Sequence, residues 1–146
     1  MRLVHALLAA GMLAPSLLVA PSAVAAPTAP ASPSDARAKV SEAVGNTIVE
    51  TFADGRQAAV WLAADGSYTG EGRKHDRSSG SWRVKGNNLC FKQSHPFAFG
   101  FSFCTPVPDV GMGQPWQAKA PTGDKITVKV VPGHVSPPLA NKGAAS

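Results

Sequence analysis

The chain contains no G-x-S-x-G turn, no C-x-x-C pair and no two histidines at i, i+2 or i, i+4 spacing. The first absence removes the usual strained nucleophile turn of a serine hydrolase. The second removes the thiol spacing of disulfide oxidoreductases, and the third removes a local zinc pair. Acid is scarce: nine Asp and Glu side chains serve 146 residues. Asp54, Asp65 and Asp124 stand in turn sequences, which leaves little for a paired-carboxylate glycosidase. Lys and Arg number 14, giving a net charge of +5, but they are not grouped with aromatics as a nucleic-acid surface requires. A run of ~20 apolar residues, the length that spans a bilayer, is also missing. No metal, cofactor or nucleic-acid partner is expected.

The most telling stretch that is present is the N-terminus. Met1-Arg2 supplies a short positive start, Leu3 to Ala14 is apolar apart from His5 and Gly11, and Pro15-Ser16 ends the run. Ala23-Val24-Ala25 is a small-x-small cleavage pattern. These are the three parts of an export leader. Residues 1–25 are therefore expected to be removed, with no transmembrane anchor after cleavage and a periplasmic or extracellular destination.

About 120 residues then remain, the size of one domain. Residues 26–35 form a Pro/Ala/Ser-rich linker, since PTAPASP locks φ and lacks donors. The domain itself is expected over 36–133, and residues 134–146, with Pro137-Pro138 and no periodicity, read as a tail without structure. Cys90 and Cys104 are the two cysteines. In an exported chain they are expected to pair, and closing such a loop stabilises by ~3 kcal/mol in the chain-entropy view.

Ser34-Asp35 can cap a short helix over Ala36 to Val44, with Gly45 ending it. From Asn46 onward helical periodicity gives way to short alternating runs separated by turn residues. The runs are Asn46 to Phe52, Arg56 to Leu62, Ser67 to Glu71, Ser81 to Lys85, Leu89 to Gln93, Phe97 to Thr105, Pro115 to Lys119 and Lys125 to Val131. Ala53-Asp54-Gly55 and Asp65-Gly66 supply the positive φ that tight turns need. The fold expected is mainly β, an antiparallel up-and-down meander of about eight strands. It would form a small barrel or a strongly curved sheet, with a short N-terminal helix.

Alternation assigns the faces. Phe97, Phe99, Phe101 and Phe103 fall on one side of their run, and Cys104 falls on the other. In the run before it, Leu89, Phe91 and Gln93 share a face opposite Cys90. The disulfide is thus expected on the outside of a hairpin whose aromatics point inward. Trp61, Tyr68, Trp82, Phe99, Phe101 and Trp116 either fill that interior or line a ligand cavity, and in so small a domain filling is the commoner outcome. Gly100, inside an apparent strand, marks a bulge or bend. The loop from Glu71 to Gly80 carries Arg73, Lys74, His75 and Arg77, a possible anion or partner contact, although its composition more readily gives a solvated hairpin tip.

Several segments together resemble small exported β-domain proteins of alphaproteobacteria such as the sphingomonads. They are Val44-Gly45-Asn46-Thr47, Ala64 to Gly70 (ADGSYTG), Ser79 to Lys85 (SGSWRVK), Leu89-Cys90, Gly113 to Trp116 (GQPW) and Ile126-Thr127-Val128. The resemblance covers roughly Val44 to Gly133. It implies an uncharacterised group of proteins, with no catalytic or binding residues to carry across. The phenylalanine-rich stretch before Cys104 departs from the proline-rich or polar loop expected there.

A non-enzymatic domain acting through surface contacts with an envelope component or protein is the first functional expectation. A calycin-like carrier of a small apolar or amphipathic ligand is the second, and a hydrolase ranks third.

Overall fold

Short hairpins, several of them closed by a local side-chain bond, set the architecture. In the computed structural model, which describes residues 32–96 and 100–137, eight antiparallel strands and a helix are assigned. The expected export leader, most of the expected linker, and residues 138–146 lie outside the described residues. The strands are β1 Thr47–Phe52, β2 Gln57–Leu62, β3 Ser67–Glu71, β4 Arg77–Lys85, β5 Asn88–His95, β6 Ser102–Pro106, β7 Trp116–Lys119 and β8 Lys125–Val131. Their order in the sheet is β6-β5-β4-β3-β2-β1-β8-β7. Strands β1 to β5 each pair with the next in sequence, while β8 returns to the free side of β1 and carries β7 with it. The result is a nearly closed barrel in which β6 and β7 remain as the two unpaired edges.

The turn chemistry works as the sequence suggests. Asp54 accepts hydrogen bonds from the Arg56 Nε–H and backbone N–H, and Asp65 accepts from the Ser67 hydroxyl and backbone N–H. These bonds favour the ionised carboxylates and hold both below the ordinary Asp value. Gly55 and Gly66 follow with φ of 78° and 85°, a region open to glycine without penalty.

The helix, α1 Pro33–Ala43, starts earlier than the Ser34-Asp35 pair suggests. Ser32 is the cap, accepting from the Asp35 N–H, and Pro33 occupies the first helical position, where its missing donor does no harm. Ala36, Val40 and Ala43 recur at helical spacing and are buried. They pack with Ile48, Leu62 and Leu89, which stand at the ends of β1, β2 and β5 that face the helix. The helix therefore stops one end of the barrel, and backbone bonds around Val44 and Gly45 tie it to Leu62.

Two strands depart from expectation. β4 extends back to Arg77, so the charged loop contracts to residues 72–76. Its first half reads RSSG, with no apolar alternation to announce a strand, yet it is fully paired with β3. Conversely, β6 begins only at Ser102, because Gly100 takes a φ of 76° and breaks the extended run. Of the four phenylalanines, Phe103 alone belongs to the described strand, while Phe101 is 43% exposed and Phe97 and Phe99 lie outside the described residues.

The hairpin nevertheless has the expected covalent staple. Cys90 and Cys104 lie directly opposite each other and form a disulfide, with Phe91 opposite Phe103 on the other face. Register shifts in the β4–β5 ladder between Ser79 and Gly80, a bulge that bends the wall.

Residues 134–137 are seated against the barrel wall, where the sequence suggested unstructured tail. The anchor is Thr47, which is fully buried. Its hydroxyl donates to the Gly133 carbonyl at 2.6 Å and accepts from the Val135 N–H at 2.8 Å and the Trp61 indole N–H at 3.0 Å. One donor and two acceptor sites are the full capacity of a hydroxyl. His134 then stacks on Trp61 with ring centroids 4.3 Å apart.

Candidate functional site

Alternate residues of all eight strands point into the barrel, and many of those residues are small. Ala58 on β2, Gly70 on β3, Ser78 on β4 and Ala118 on β7 line the interior together with the larger Phe52, Tyr68, Phe91, Phe103 and Trp116. The small positions leave a cavity of about 530 Å³, within the range of small-ligand sites, ~300–1,000 Å³. The interior thus holds open space beside the packed cluster around the helix. An eight-stranded barrel is close to the size at which side chains either fill the lumen or leave room for one ligand, so a few alanines and glycines decide the outcome.

The cavity runs from the helical stopper to the opposite mouth and reaches the β6–β7 seam. Phe101 and Met112, exposed by 43% and 41%, border it before β6 and before β7. At the mouth, Arg73 lies with its guanidinium carbon 4.4 Å from the centroid of Phe52 and pairs with Asp124 at 3.3 Å. The β3–β4 hairpin is thereby strapped to the β7–β8 turn above the end of β1.

One ionisable group stands apart within this lining. Ile48, Glu50 and Phe52 share the inner face of β1, and the cross-strand neighbours of Glu50 are Ala58 and Val128. Burial pushes the Glu50 carboxyl above its ordinary value, with no cation offsetting the effect. Among the described residues Glu50 has no hydrogen-bond or ion-pair partner, and no side-chain polar atom is both fully buried and unsatisfied. Its oxygens therefore face the open space of the cavity. The same burial raises the phenol of Tyr68, whose ring packs edge-on to Phe91 at 5.1 Å.

Of the aromatic side chains singled out in the sequence, Tyr68, Phe101 and Trp116 line the cavity. Trp61 lies outside it, bonded to Thr47 and stacked on His134. Trp82 packs against the core and donates its indole N–H to the Ala63 carbonyl, so it too is absent from the lining. Phe99 lies outside the described residues. The four basic or imidazole groups of the charged loop separate: Arg73 and Lys74 border the mouth, His75 pairs with Glu71 at 2.6 Å, and Arg77 joins an outer groove with His95 and His134. They form no single anion site.

No protein-family model, curated protein or solved structure matches this chain. Its chemistry must therefore be read from its own geometry. Among the described residues no group of three or more His, Cys, Asp or Glu is placed to hold a metal ion. Glu50 belongs to no sequence motif that would single it out as a site residue. The available signal was its period-2 phase with Ile48 and Phe52, which puts a charge on the buried face.

Proposed function

We propose that the domain is an exported binding protein that holds a small amphipathic ligand inside its barrel. The observation that carries this reading is the apolar cavity of about 530 Å³. Its wall is an eight-stranded antiparallel sheet open at the β6–β7 seam, a structure that positions many side chains around one guest. Periplasmic or extracellular location is supported by the Cys90–Cys104 disulfide, a bond that persists in oxidising compartments. No described helix is long and apolar enough to cross a membrane. Surface contact through the charged loop has weaker support, because Arg73 and His75 are engaged by Asp124 and Glu71.

Native mass spectrometry of the undenatured exported protein, followed by titration with the neutral fluorophore N-phenyl-1-naphthylamine, tests the reading. A mass released on unfolding, or saturable 1:1 probe binding abolished by the lumen-filling change Ala118→Phe in a folded variant, supports a carrier. A bare chain that binds no probe refutes it.

A further inference from the structure

The lumen asks for more than an apolar guest. Glu50 brings a half-buried carboxylate to the cavity wall, between alanine and valine on its neighbouring strands. A carboxylate in apolar surroundings without a partner is unfavourable and is normally relieved by pairing or hydrogen bonding. Here neither is supplied by the described residues. Arg73 borders the cavity, but it is turned toward Phe52 and Asp124 at the mouth. Lysines bordering the cavity, Lys39, Lys74 and Lys119, come from the helix, the β3–β4 turn and the exposed end of β7. No positive charge therefore projects from the middle of the wall, where an anionic headgroup would need one.

Resting on the carrier reading, we infer that the ligand is an amphiphile with a primary-amine head, and that Glu50 is its anchor. The ammonium group donates up to three hydrogen bonds and supplies the missing charge, while the tail occupies the space left by Ala58, Gly70 and Ala118. An acid of the same chain length meets an uncompensated like charge, and an alcohol loses the charge-assisted component. Glu50 is thus a specificity-determining residue in a cavity whose remaining wall is permissive.

The test is displacement of N-phenyl-1-naphthylamine from the oxidised, exported protein by decylamine, decanol and decanoate at constant salt and pH 7. Wild type is expected to bind decylamine at least about tenfold more tightly than decanol, with decanoate weakest. Glu50→Gln should reduce the amine-to-alcohol preference to within about twofold while decanol affinity is kept, and Glu50→Asp should restore part of the preference. Retained thermal unfolding and decanol binding by Glu50→Gln show that its fold and cavity persist. Equal binding of amine and alcohol by wild type, or a preference that survives Glu50→Gln, overturns the anchor and leaves the carrier standing. Failure of all three compounds and the fluorophore to bind wild type overturns both.

Discussion

A single methyl group added at Gly80 is expected to damage this barrel more than any exposed-loop substitution. A Cβ there would stand 2.1 Å from the Lys92 carbonyl oxygen, 2.9 Å from Tyr68 Cε1 and 3.0 Å from the Gln93 Cα. Carbon-to-carbonyl contacts ordinarily close no nearer than about 3.3 Å, so the first overlap exceeds ~1 Å. Two of the three obstacles are backbone atoms of β5, and the third is a ring held edge-on to Phe91. Relief requires β4 and β5 to separate at the bulge, weakening the ladder that carries the disulfide-bonded strand. Overpacking of this sort costs about 1–3 kcal/mol, and backbone obstruction places Gly80→Ala at the upper end. A loss of about 3 kcal/mol lowers the melting temperature of a domain this size by roughly 12–24 °C. Urea unfolding of the oxidised protein measures the effect, with an unchanged m-value confirming that the native state is being compared. Gly111→Ala is the control, since no heavy atom lies within 4 Å of its added carbon and its φ is not positive. If Gly80→Ala and Gly111→Ala were equally stable to within ~0.5 kcal/mol, the close approach of β4 to β5 would be wrong.

Three further outcomes are expected. Reduction of Cys90–Cys104, which are 14 residues apart, should destabilise the domain by ~3 kcal/mol; an unchanged urea midpoint would remove the staple from the stability account. Thr47→Val should cost about 2–4 kcal/mol by stranding the Trp61 and Val135 N–H groups and the Gly133 carbonyl. Tryptophan fluorescence should report release of the 134–137 segment, and a wild-type spectrum would contradict the hydroxyl's role. Glu50 binds its proton more tightly folded than unfolded, because burial raises its pKa above the ordinary 4.5. Stability from this group is therefore full at low pH and is lost as pH rises from about 4.5 through the raised value. Glu50→Gln should accordingly be more stable than wild type at pH 7, with the gap closing toward pH ~4; a gap independent of pH would exclude desolvation as its cause.

Strand identity was legible wherever alternation and turn chemistry coincided, as at Asp65-Gly66 between β2 and β3. It was obscured where one of them was absent. The RSSG start of β4 carries no hydrophobic signal because ladder bonds, rather than apolar burial, hold it in place. The phenylalanine-rich stretch misled in the opposite sense, since its alternation continued across a glycine whose backbone turns. The facing cysteines could be assigned from alternation within a hairpin, and the structure places them opposite one another. The cavity could not be read in the same way: it is the volume left over when eight inner faces meet, and no local pattern records that remainder. Thr47 was equally silent, because three groups distant in sequence converge on one hydroxyl.

Because β6 and β7 do not pair, the wall behaves as a split ring rather than a hoop. A hoop can widen only by breaking one of its ladders, whereas a split ring widens by bending, with every one of its hydrogen bonds retained. The lumen can thus change girth at little enthalpic expense. The same freedom would let a five-residue lip peel away and offer its edge to another molecule, the usual hazard of an unpaired strand. Cys104 sits in the middle of that lip and is bonded to the strand behind it. The disulfide clamps the side of the ring made by β5 and β6, so that opening is left to the β7–β8 side.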